Sequence, residues 1–138
     1  VNCRWLDWSG ALAEMLAPAA RRDPLGGLEM LAQDVLDGSS RAFGVFDDAG
    51  QMVLATVLRL ESFPHGRELL IQAASGSLPG VSLVDTVYPA IERVAVAAGC
   101  GSVRLQSSRP GMARAMARHG FAECDHVYRK WLHVGRKI

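Results

Sequence analysis

The sequence is short of several things, and each shortage excludes something. Its three cysteines, Cys3, Cys100 and Cys124, are an odd number with no C-x-x-C or other metal-like spacing. That excludes a disulfide scaffold and fits a reducing compartment, where such thiols are buried or idle. Aromatic residues make up only 7% and do not interleave with the arginines, so a nucleic-acid face built on base stacking is not expected. No apolar run approaches the roughly 20 residues of a membrane span, and no stretch reads as a signal peptide. A cytoplasmic location away from membranes is the expectation. The motifs G-x-x-x-x-G-K-[ST], H-E-x-x-H and G-x-S-x-G are absent, as is any ladder of carboxylates at calcium-loop spacing. His65, His119, His126 and His133 form no ligand pattern, so no metal is expected.

What is present is enough for one core. The chain has 138 residues, 49% of them hydrophobic and 21% charged, which suits a single domain over 1–138 without metal or disulfide staples. The formal net charge of +1 hides an asymmetry. Residues 1–100 carry 7 basic and 12 acidic side chains, a balance of −5, whereas 101–138 carry 8 and 2, a balance of +6.

Periodicity divides the chain. After a short opening strand at Val1–Trp5, residues 9–20 place Leu12, Met15, Leu16 and Ala19 at helical spacing, with Pro18 expected to end or bend the helix. Asp23-Pro24 predicts the N-cap and first turn of a second helix, whose apolar face runs from Leu25 to Leu36 and which stops at Gly38. Three strands follow, at 41–46, 51–63 and 67–74, joined by the turns Asp47–Gly50 and Pro64–Gly66. The middle strand is apolar on both faces, so both faces of the sheet are expected to be covered. Ser82 and Asp85 predict a capped helix to Ala98. A strand at 102–106, a short helix at 109–119 closed by Gly120, and a last strand at 122–132 complete the order. The expected fold class is α/β (α+β), a mixed sheet with helices on both faces.

Two features point to chemistry. The glycine-containing loop Gly76–Gly80 lies between a strand and a long helix, where backbone N–H groups and the helix dipole can meet a phosphate; a plain turn is the other reading. Arg104, Arg109, Arg114 and Arg118 gather basic charge near the C-terminus, either as a solvated face or as a surface for an anionic partner. Trp5, Trp8 and Trp131 are read as packing residues, with a homo-oligomer surface as the alternative.

The order of elements, together with the run from Arg109 to Gly120-Phe121, resembles the GNAT N-acetyltransferase superfamily. Members close with a strand, a short helix reading A-x-x-[LF]-Y-x-x-x-G-F and a final strand, and this sequence matches at Gly120-Phe121, with Ala113 one place after the motif's alanine. The same run is also similar to acetyltransferase-like proteins encoded among phage and prophage structural genes. The resemblance implies a protein that moves an acetyl group from acetyl-CoA to a small-molecule or peptide amine. It implies acetyl-CoA contacts at Gln72, Ala73 and Ala74 on a strand end, at Gly76, Ser77, Gly80 and Ser82 in the phosphate loop, and at Ser108 and Arg109. Glu61 and Glu68, near strand ends, are the candidate catalytic bases. The sequence departs from the family pattern in two places. The loop lacks the leading Gln or Arg of [QR]-x-x-G-x-[GA] and holds Pro79, and Met116 stands where the family often has a tyrosine acid. A catalytically degenerate binding or assembly module, such as a phage-associated one, is therefore the alternative, and nucleic-acid binding is the weakest reading.

Overall fold

The computed structural model describes residues 2–23, 25–77, 82–107, 111–125 and 127–132, with nothing said of the Leu83 side chain. It forms two compact units, Val1–Ser108 and Arg109–Ile138. The first unit holds a five-stranded sheet in the order β1-β2-β3-β4-β5. These strands are β1 (Asn2–Leu6), β2 (Arg41–Phe46), β3 (Met52–Phe63), β4 (Gly66–Gly76) and β5 (Ser102–Leu105). The first four pair antiparallel, and β4 pairs parallel with β5. A parallel neighbour needs a crossover, and helix α3 (Leu83–Ala97) supplies it.

Helices α1 (Gly10–Ala20) and α2 (Gly27–Leu36) cover one face. Leu12 and Leu16 are fully buried against Ala42, Ala55 and Val57, where short strand side chains let α1 lie close to the sheet. Each such leucine contributes about 2–3 kcal/mol of burial. Ser9 caps α1 by accepting from the Leu12 amide at 3.2 Å. Pro18 sits in the last turn of α1 and does not end it; the helix closes at Arg21, whose amide donates to Ala17. The second helix starts later than Asp23-Pro24 predicts. Asp23 instead caps a separate turn, accepting from the Leu25 and Gly26 amides, and α2 begins at Gly27. Val87, Tyr88, Ile91 and Ala95 form the buried side of α3. Arg67 secures the end of that helix: its guanidinium donates to the Ala98 carbonyl at 2.8 Å, and its own carbonyl accepts from Gly101.

β1 is an edge strand, and cations cover its aromatic contacts. Arg4 stacks over Phe46 at 3.8 Å and Arg41 over Trp5 at 3.9 Å, which leaves a charged edge less open to pairing with another chain. Trp5 is half exposed, while Trp8 packs against the α1 core.

In the second unit α4 (Met112–Ala117) is followed by the predicted closure, with the Phe121 amide donating back to Met116. The expected last strand is not found: the described residues of 122–132 join no ladder. Glu123-Cys124-Asp125 opens that segment with polar side chains, and a segment without a paired neighbour does not make a strand. Among the described residues no helix is long and apolar enough to cross a membrane.

Gly76 is required by close approach. Its φ is +149°, and a Cβ there would sit 2.5 Å from the Leu54 Cα and closer still to the Val53 carbonyl oxygen. Gly76→Ala is expected to cost about 2–4 kcal/mol in chemical denaturation. Gly50→Ala, with a φ of +83° but open space around it, should cost only about 1 kcal/mol.

Candidate functional site

The parallel ladder between β4 and β5 spans only Glu68 to Ile71, opposite Ser102 to Leu105. β4 then continues through Gln72 to Gly76, paired with β3 on its other side alone. Among the described residues, the β5-facing backbone of 72–76 therefore has no ladder partner. Such an edge offers N–H and C=O groups at strand spacing to an extended ligand carrying amides of its own. Ala74 and Gly76 are exposed there.

The ladder on the β3 side changes register at the same place. Val57 pairs with Ala73 and Leu58 with Ile71, so Gln72 is an extra residue, a β-bulge. The Thr56 hydroxyl donates to the Ala73 carbonyl at 2.9 Å. The Gln72 amide accepts from the Ser40 hydroxyl and donates to Asp34 at 3.2 Å, and Asp34 also accepts from Arg59 at 3.4 Å. The sequence places Gln72, Ala73 and Ala74 together on this strand end, and the structure keeps them there. Thr56, Ser40 and Asp34 were not singled out. The available signal is a lone threonine inside the otherwise apolar run from Met52 to Leu58.

The loop side is partly described. Ser82 caps α3, accepting from the Asp85 amide at 3.4 Å, and its carbonyl accepts from the Thr86 hydroxyl. Asp85 already places a carboxylate in the first turn, where it suits the helix dipole. The Ser77 amide donates to the Val53 carbonyl at 3.0 Å and is thus committed to the sheet. Gly80, Ser108 and Arg109 lie outside the described residues.

Glu61 and Glu68 stand directly opposite each other across β3 and β4. Two like charges in that position repel, and Arg104 resolves the repulsion. Its Nε donates to Glu68 at 2.8 Å and its Nη2 to Glu61 at 3.2 Å; Ser102 adds a hydroxyl to Glu68 at 2.8 Å. The Arg104 hydrogen bond, with help from Ser102, holds the Glu68 carboxyl below the usual carboxylate range, and Glu68 in turn raises Arg104. A depressed carboxyl is a weak base. Glu68 also lies four residues before the bulge, about 13 Å along the strand. Arg104 is accordingly part of this ion-pair cluster and not a free member of the basic C-terminal group. An open groove of about 470 Å³ runs from Gln72 and Leu70 past Arg59 and Glu61 to Phe63. Tyr88, a phenol to weigh as an acid, is pushed up to about 12 by burial and then by Glu92, so it holds its proton at neutral pH. Among the described residues no group of His, Cys, Asp and Glu could hold a metal ion.

No family model and no curated protein matches the sequence. Solved structures do match. An acetyltransferase from Trypanosoma brucei superposes with a TM-score of 0.71 at 20% identity, covering 95% of this chain and 99% of the other. A ribosomal-protein-alanine N-acetyltransferase from Brucella melitensis gives 0.68 at 15% identity, covering 96% and 99%. A glucosamine-6-phosphate N-acetyltransferase from Arabidopsis thaliana gives 0.65 at 12%, covering 95% and 99%. At these identities the likeness is one of fold, and the fold is that of the GNAT-type acetyltransferases.

The Glu68 carboxyl gives a pH dependence of stability. Because folding depresses it, its contribution is present above its unfolded value near 4.5 and is lost as pH falls through the lower folded value. Glu68→Gln is expected to flatten the acid limb of a stability-against-pH series below that value. At neutral pH it should cost about 1 kcal/mol or less, since removing one of two opposed carboxylates also relieves repulsion.

Proposed function

We propose that the chain is a GNAT-type N-acyltransferase that moves an acetyl group from acetyl-CoA to an amine, with residues 1–138 acting as one domain. The observation that carries this is the β4 edge at 72–76, open on the β5 side, in a chain with an acetyltransferase fold. That edge fits the cofactor's chemistry. The pantetheine arm carries amides that need strand-like partners, and Gln72, Ala73 and Ala74 would hold it. Gly76, Ser77, Gly80 and Ser82 would lie along its phosphates at the start of α3, Ser77 through its side chain because its amide is committed to Val53. Ser108 and Arg109 are assigned to the same ligand, the guanidinium as a partner for phosphate.

Acetyl-CoA supplies an acyl group activated as a thioester. The protein's own part is to orient it on a rigid strand and to receive the amine. We assign Glu61, which lines the groove leading to Gln72, to the incoming ammonium group, and Glu68 to holding Arg104. The acceptor is a small-molecule or peptide amine, as the names of the Brucella and Arabidopsis proteins say of those enzymes. A second reading, acyl-CoA binding without transfer, is favoured by Met116 in place of the family's tyrosine and by the depressed Glu68 carboxyl.

Acetyl-CoA at about 1 mM is expected to raise the melting temperature by several degrees, because a ligand at 100 times its Kd stabilises the folded state by about 2.7 kcal/mol. An unchanged melting temperature would remove both readings. A shift without thiol release, when the protein is presented with a panel of amines, would leave the binding module.

A further inference from the structure

We propose that Gln72 and Thr56 are positioning residues that hold the β4 bulge in the shape that receives the acyl thioester, with Asp34 and Ser40 orienting the Gln72 amide. The proposal rests on the acetyl-CoA reading above. It starts from a problem of register. Around the bulge β4 reads Leu69-Leu70-Ile71-Gln72-Ala73-Ala74, and β3 reads Met52-Val53-Leu54-Ala55-Thr56-Val57-Leu58. Both runs are apolar on both faces, so burial alone specifies their alignment weakly. A bulge displaced by one residue would still bury apolar side chains. Each run contains one polar residue, and the two meet at the bulge.

Their bonds fix it from both sides of the sheet. Thr56 is completely buried, and alternation puts it on the face away from Ala55 and Val57. Its hydroxyl donates to the carbonyl of Ala73, the first residue after the extra one. Gln72 reaches the opposite face, toward α2. The Asp34 carboxylate can only accept, so the Gln72 Nε2 must face it. The Oε1 is then left for the hydroxyl of Ser40, which is itself buried. Asp34 and Ser40 are set beside each other by the Ser40 amide, which donates to the Asp34 carbonyl at 2.9 Å. The result is a bulge whose peptide planes cannot rotate without breaking a buried hydrogen bond. The bulge also coincides with the end of β4–β5 pairing at Ile71, where the open edge begins. A fixed backbone at that point is what an acyl group bound through peptide N–H groups requires.

The test uses Thr56→Val and Gln72→Leu, with Thr56→Ser as the variant that keeps the hydroxyl. In the ligand-free protein, amide hydrogen exchange at 72–74 should rise about tenfold or more in the first two, above any change at Phe43 in β2, and return toward wild type in Thr56→Ser. Acetyl-CoA affinity should fall about tenfold in both, and affinity for CoA lacking the acetyl group by less than about threefold. Unchanged exchange at 72–74 would overturn the pinning. Faster exchange with acetyl-CoA affinity within about twofold of wild type would overturn its link to the thioester. A wild-type protein that binds neither acetyl-CoA nor CoA would overturn the acetyl-CoA reading and the thioester half of this proposal, while the exchange experiment still decides whether the pair holds the bulge.

Discussion

β4 has to satisfy two neighbours that make different demands. Toward β3 it is paired from Gly66 to Gly76, and toward β5 only from Glu68 to Ile71. A strand bonded on both sides is held flat by its ladders, whereas one bonded on a single side is free to twist. The extra residue at Gln72 takes up the difference where the second ladder stops. Everything proposed for the site depends on that junction. The open edge exists because β5 is short, and Gly76 must be glycine because β3 crosses so close to the far end of β4. The buried half of the sheet, with Val45, Ala55, Thr56 and Val57 fully enclosed, makes the junction stiff.

The charges are arranged around the same strand. Two cross-strand carboxylates, Glu61 and Glu68, would push β3 and β4 apart if left alone, and an arginine from β5 joins them. Arg104 thereby ties three strands through side chains at the end of the sheet where the backbone ladder is complete. At the other end, where the ladder is missing, hydrogen bonds from Thr56 and Gln72 take over. Charge holds the closed end of the β4–β5 pair and buried polar groups shape the open end, a division that suits the anionic ligand proposed for the site.

Much of the fold could be read from the sequence because local signals and tertiary demands agree. The strand at 41–46 was bounded by a glycine stop and an Asp-rich turn, and Ser82 capped its helix as its spacing predicted. The second helix was placed too early because Asp23 is as good at capping a lone turn as at capping a helix. A last strand at 122–132 completes the expected order, but pairing is decided by a neighbour that the local sequence does not contain. The site was less legible still. The sequence marks Gln72 through its strand backbone, while its side chain is committed to Asp34, 38 residues away. The sequence shows Glu61 and Glu68 only as carboxylates near strand ends, and the register is what sets them facing each other with Arg104 between. Contacts of that range follow from topology, not from spacing.

A bulge inside a covered sheet would ordinarily leave a carbonyl facing apolar side chains, at a cost of about 1–3 kcal/mol. Here the Ala73 carbonyl accepts from the Thr56 hydroxyl at 2.9 Å, so that carbonyl is built into the core without that penalty. Thr56 supplies one donor from within β3, and Ser40 lies where the chain has just left α2. This couples the strand edge to a helix on the sheet's other layer. Any displacement of α2 would pull on Asp34, and through it on the Gln72 amide. The edge that is proposed to hold the acyl donor is thus mechanically joined to the helical layer above it through the Gln72 side chain.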